Sequence, residues 1–130
     1  MRTNLRACLM VTVLTWLAPV VAAEPIHHLV LIWLKPDLGT EVREQLIARS
    51  QALGRIPGVS GFSIGSVLAS ERPIVDDSFD VAITMVFSSS AAMETYIDSA
   101  EHKRIVSQHI GPLAEKIVVY DYRAVAPPAE

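Results

Sequence analysis

Apolar residues crowd both alternating faces of residues 26–35, I-H-H-L-V-L-I-W-L-K. His28, Val30, Ile32 and Leu34 fall on one side, and Leu29, Leu31 and Trp33 on the other. A strand greasy on both faces has to be covered twice, by helices on one side and by something else on the other. After the turn cluster Pro36-Asp37-Leu38-Gly39, Val42, Leu46, Ile47, Ala48 and Leu53 recur at helical spacing. This spacing predicts a helix over 40–53, N-capped by Thr40 and stopped at Gly54 and Ile56-Pro57-Gly58.

Residues 59–68 form a weaker strand pattern, with Phe62 and Ile64 alternating with Ser63 and with glycines at 61 and 65. A polar connection over 69–78 leads into F-D-V-A-I-T-M-V-F at 79–87. This strand places Phe79, Val81, Ile83, Met85 and Phe87 on one face. Ser88-Ser89-Ser90 offers helix caps before Ala91, and a second helical piece runs over 101–110 to Gly111-Pro112. Residues 117–123 are the last strand, and 125–130, with Pro127-Pro128, are expected to be a disordered tail.

The order is βαββαβ. Right-handed crossovers then place both helices on one face of a four-stranded antiparallel sheet, giving an α+β, ferredoxin-like fold. The other sheet face is left bare and apolar. Two copies packed face to face, as a homodimeric α/β barrel, hide it most economically.

Composition adds a compartment. Arg2 and Arg6 precede an apolar run over 7–21, and Val21-Ala22-Ala23 supplies small residues for cleavage. Residues 1–23 are therefore expected to be a signal peptide, and residues 24–124 the domain of an exported protein, periplasmic or secreted. The run is short for a membrane span, so no stable insertion is expected after cleavage; an uncleaved anchor is the alternative. The single cysteine, Cys8, lies within the leader, so the mature chain forms no disulfide. The 107 residues after the leader carry nine Lys and Arg against fourteen Asp and Glu, scattered without a basic stripe. Nucleic acid is a poor partner for such a surface.

Motifs that carry chemistry are few. Gly61-Phe62-Ser63-Ile64-Gly65 matches the G-x-S-x-G nucleophile elbow, but no helix pattern follows it, and it is read as a chance match. His27 and His28 are adjacent on a strand and point to opposite faces, and His102 and His109 lie about two helical turns apart. No metal site is expected from them. Asp76, Asp77 and Asp80 fit a solvated turn better than a cation loop.

Five pieces in order resemble the stress-responsive dimeric α/β-barrel (Dabb) family, related to olivetolic acid cyclase-like proteins. They are I-H-H-L-V-L-I-W-L-K, I-P-G-V, S-F-D-V-A-I-T-M-V-F, M-E-T-Y-I-D-S-A-E-H and G-P-L-A-E-K-I-V-V-Y-D-Y, spanning about residues 26–123. The resemblance implies the same dimeric barrel and a chemistry without metal or organic cofactor. Laid onto the cyclase pattern, the first-strand histidine matches His28, the helix tyrosine Tyr96 and the catalytic histidine His102. The family's His-Pro-x-His is Ser99-Ala100-Glu101-His102 here, so its first histidine and its proline are absent.

The resemblance thus implies a catalytic set in which His102 is the general acid/base, Tyr96 the hydrogen-bond donor to a developing enolate oxygen, and His28 an assisting group. Asp98, four residues before His102, would orient that imidazole if the helix ran unbroken. The expected function is aldol, cyclase or isomerase-like catalysis on a small carbonyl or phenolic compound. The alternative is a non-enzymatic stress-response or apolar-ligand-binding protein of the cell envelope, with His28 a core histidine and His102 solvated.

Overall fold

The computed structural model describes residues 24–125; the expected leader and the residues from 126 onward lie outside the described part. Four strands, β1 (Ile26–Leu34), β2 (Val59–Ser66), β3 (Val81–Phe87) and β4 (Ala114–Arg123), form one antiparallel sheet in the order β2-β3-β1-β4. Between them lie α1 (Thr40–Ser50), α2 (Ser90–Asp98) and α3 (Ala100–Ile105). The βαββαβ order and the antiparallel sheet agree with the pattern along the chain.

The alternation in β1 works as expected. Ile26, His28, Ile32 and Leu34 are buried, and they meet Val81, Ile83, Met85 and Phe87 of β3 in one helix-covered layer. Leu46 and Leu53 from the first helical segment, with Tyr96, Ile105 and Ile110 from the second, close that layer. Burying such side chains contributes about 1.5–3 kcal/mol each, the main force holding helices to sheet.

The opposite face carries Leu29, Leu31 and Trp33 beside Val118, Tyr120 and Tyr122 of β4. Tyr120 and Tyr122 are more than half exposed. His27 stacks on Tyr122 with ring centroids 4.8 Å apart, and the Lys116 ammonium sits 4.4 Å above the Trp33 ring. Among the described residues no helix covers this surface.

Several boundaries differ from the expectation, each for a local reason. Thr40 is the first helical residue and Gly39 the cap, without a side-chain bond. The helix tightens after Ser50 into a 3₁₀ segment, Gln51–Arg55, before Pro57 stops the chain. Ser89 caps α2 by accepting the Ala92 amide at 3.1 Å, within the expected serine run. The second helical piece comprises α3 followed by a π-turn, Val106–Ile110, closed by the Gly111 amide on the Val106 carbonyl at 2.8 Å. Phe79 does not share the face of Val81. It lies before β3 and packs edge-on against Trp33, at the border of the uncovered surface.

The β2–β3 connection is pinned by carboxylates. Asp76 accepts the Ser78 amide, Asp77 the Ser70 amide and Asp80 the Leu34 amide, at 3.0, 2.8 and 2.8 Å. These aspartates act as turn staples. Gly61–Gly65 lies inside β2, with no helix behind it, so the elbow geometry is absent.

Two glycines are required by geometry. Gly58 has φ +99°, the left-handed region that closes the Pro57-Gly58 turn into β2. At Gly54 an added Cβ would lie 2.6 Å from Cγ of Phe62, so the 3₁₀ segment packs flush on that ring. Gly54→Ala is expected to lower stability by about 1–3 kcal/mol through overpacking. Gly65→Ala, with nothing within 4 Å of the new methyl, should leave it nearly unchanged. Urea unfolding of the two variants side by side checks this; equal midpoints would count against the flush packing.

Candidate functional site

One cavity of about 340 Å³ lies between the sheet and the second helical segment, and His28, Tyr96 and His102 all line it. Each arrives by a different route. His28 sits on the helix-facing row of the central strand, between Ile26 and Val30. Tyr96 is carried inward on the buried side of α2 and is wholly buried. His102 enters from α3, after a break in the helix.

That break shapes the site. Ser99 leaves helical geometry, with φ −62° and ψ 143°, and its hydroxyl serves both helix ends. It donates to the Tyr96 carbonyl at 2.7 Å and accepts the His102 amide at 3.2 Å. The expected orienting role of Asp98 fails here, because the helix does not run through. Asp98 pairs with Lys103 at the surface instead, at 3.2 Å. The group that orients His102 is the Ile97 carbonyl, 2.9 Å from Nδ1. A carbonyl only accepts, so Nδ1 carries the proton and the neutral ring keeps its lone pair on Nε2.

The side chains are packed as a cluster of tilted and edge-on rings. The centroids of Tyr96 and His102 are 4.7 Å apart, those of Tyr96 and Phe87 5.0 Å, and those of His28 and Tyr96 6.4 Å. Among the described residues the buried Tyr96 hydroxyl has no hydrogen-bond partner. Burial pushes its pKa well above the ordinary phenol range, so it remains a protonated donor. His102 is held below the ordinary imidazole value, chiefly by burial. The Ile97 carbonyl opposes that shift, and the nearby His28 and Lys103 reinforce it.

Sequence reasoning missed Asp121. It stands directly across from His28 in the β1–β4 register, and its Oδ1 is 2.6 Å from His28 Nδ1. The signal was available in principle. An isolated carboxylate on the last strand, two residues from Val119 on the same face, falls opposite the histidine once that strand is paired with the first. Asp121 lies at the cavity mouth beside Ile117 and Val119, which are 41% and 45% exposed because β4 is an edge strand that the helices do not reach. Elsewhere the lining is aliphatic, from residues such as Val30, Leu53, Ile83 and Ile110. Among the described residues, no three His, Cys, Asp or Glu side chains gather as metal ligands.

Comparison with known proteins identifies the family and the fold. The family described as the Stress responsive A/B Barrel Domain (Dabb) matches residues 26–124. No curated protein matches the sequence. Among solved structures, a Dabb family protein with a ferredoxin-like fold from Mesorhizobium loti is 25% identical, with a TM-score of 0.65 over 79% of this chain and 99% of that one. The hydroxynitrile lyase from Passiflora edulis is also 25% identical, with a TM-score of 0.69 over 82% and 99%. A dimeric ferredoxin-like protein of unknown function from Thermobifida fusca shares the fold at 19% identity and a TM-score of 0.65, over 78% and 92%.

The environment of His102 sets a pH dependence. Because the folded pKa of His102 is lowered, the unfolded chain binds its proton first, starting near the ordinary value of ~6.5. Stability from this residue is therefore complete above that value and falls as pH drops toward the folded pKa. His102→Gln should lose less stability than the parent between pH 7.5 and pH 5, as read from urea midpoints. An identical acid loss in both proteins would contradict the assignment.

Proposed function

The chain belongs to the stress responsive A/B barrel (Dabb) family, and from that membership we propose an exported homodimer that catalyses acid/base chemistry on a small carbonyl or phenolic compound without a cofactor. The reaction class is aldol, cyclising or isomerising. One observation carries it: a buried Tyr96 hydroxyl without a partner among the described residues, packed between two imidazoles on the wall of a mostly aliphatic cavity. An unsatisfied buried donor costs about 1–3 kcal/mol, a cost that a substrate oxygen would relieve.

The step uses only this chain's residues. His102 Nε2 takes a proton from the carbon beside a carbonyl. The C–H electron pair becomes a carbon–carbon double bond, and the carbonyl pair moves onto oxygen. Tyr96 donates a hydrogen bond to that oxygen as its charge develops, and its high pKa keeps the proton on the phenol. Return of the proton from His102 to another carbon isomerises the compound. Attack of the enolate carbon on a second carbonyl, with the His102 proton passing to the new alkoxide, forms the aldol bond. His28, held by Asp121 through Nδ1, assists from the facing wall.

Other features support parts of this reading. The structural relative named a hydroxynitrile lyase indicates that such a scaffold carries catalysis on a small molecule. The uncovered sheet face with Leu29, Leu31 and Trp33 supports the homodimer, and the basic-then-apolar residues 1–23 support export.

Two measurements test it. In deuterium oxide, the protein should accelerate deuterium uptake beside the carbonyl of small ketones, followed by proton NMR. His102→Ala should reduce the rate by about 10²-fold or more, and Tyr96→Phe by a smaller factor. Binding without exchange, or exchange indifferent to His102, would replace the catalyst by an apolar-ligand-binding protein of the envelope. Sedimentation at micromolar concentration should give twice the chain mass, and Leu31→Glu should halve it; a folded monomer of the parent chain removes the homodimer.

A further inference from the structure

The chemistry of the cavity mouth restricts what can enter. We infer that the site admits uncharged carbonyl compounds with an apolar tail and turns away carboxylates and phosphates, with Asp121 as the residue that sets this preference. The inference rests on the reading of the cavity as the working site.

Four observations carry it. Among the described residues no lysine or arginine lines the cavity, so an anionic group would lose its water without gaining a cation in return. The polar groups of the inner wall, Tyr96 and His102, sit among aliphatic side chains, and His102 is already turned toward the Ile97 carbonyl with its proton on Nδ1. Asp121 stands at the opening with a 44% exposed side chain and only Oδ1 engaged, by His28. Beside it, the half-exposed Ile117 and Val119 form an aliphatic sill along the β4 edge.

A ligand therefore has one place for an oxygen, deep against Tyr96, and one place for its remainder, over the sill. A carboxylate at the far end of such a ligand would emerge beside the Asp121 carboxylate, where like charges repel. Space limits the ligand too. At ~30 Å³ per water in the liquid, the cavity holds the equivalent of roughly a dozen waters, enough for a substituted aromatic ring or a short branched chain. A bulky, highly charged carrier group would have to remain outside.

The test uses two ketones of similar size, 4-ethylacetophenone and 4-acetylbenzoate, titrated into the full protein at pH 7.5. Binding is read from the imidazole resonances of His28 and His102. The uncharged ketone should bind at least tenfold more tightly. In Asp121→Asn, whose amide oxygen still accepts from His28 Nδ1, the ratio should shrink by at least threefold through better binding of the carboxylate. Asp121→Thr provides a second variant if the first does not fold.

Equal or tighter binding of 4-acetylbenzoate to the parent protein overturns the inference and leaves the cavity's working role standing. A preference unchanged in the variants removes Asp121 as its cause. If neither ketone moves the imidazole resonances, the cavity is not the working site, and the inference falls with the reading it rests on.

Discussion

A histidine in the middle of an apolar row is the constraint on which this structure turns. Ile26, His28, Val30 and Ile32 share the helix-facing side of the central strand, and the imidazole is 6% exposed. A polar ring so placed must be satisfied locally or cost the fold a few kcal/mol. The satisfaction comes from the next strand, where Asp121 falls directly opposite. The price of that arrangement is an edge strand whose inner side is partly wet, and the same wet edge opens the cavity. The partner carboxylate answers to the position of His28, and the opening to the edge strand that carries it.

Of the three polar rings that line the cavity, two are compensated and one is not. His28 has Asp121, and His102 has the Ile97 carbonyl. Tyr96, between them, has no partner for its hydroxyl. Natural cores rarely tolerate this without a reason, and the Tyr96 ring lies wedged against Phe87, His28 and His102. The break at Ser99 is what brings His102 into the cluster. A continuous helix would commit the Ile97 carbonyl to the amide four residues later, whereas the interrupted one gives it to the imidazole.

Much of the architecture was legible in the chain because period-two and period-3.6 patterns are strong where burial is two-sided. Val81, Ile83, Met85 and Phe87 announce a strand on alternation alone, and the serine run before α2 announces its cap. The nearness of His28, Tyr96 and His102 followed from the family resemblance, since residues 68 to 74 positions apart in sequence have no local signature of proximity. Asp121 stayed hidden for the same reason. Its meaning depends on β4 pairing with β1 in a particular register, and an isolated Asp between two tyrosines looks like ordinary edge-strand polarity. The failure of Asp98 has a different origin. Spacing four predicts a helical neighbour only while the helix continues, and Ser99, though of a type that favours helix starts, has no glycine or proline beside it to announce the break. Phe79 misled similarly, because strand alternation was extended past the residue where pairing stops.

The alternation of β4 also separates two kinds of change. Ile117, Val119 and Asp121 look toward the helices, while Lys116, Val118, Tyr120 and Tyr122 look away from them. Neighbouring codons thus address opposite sides of the molecule. Drift at odd positions alters the cavity wall, and drift at even positions alters the outer face of the sheet. A lineage carrying this strand can change either surface without disturbing the other.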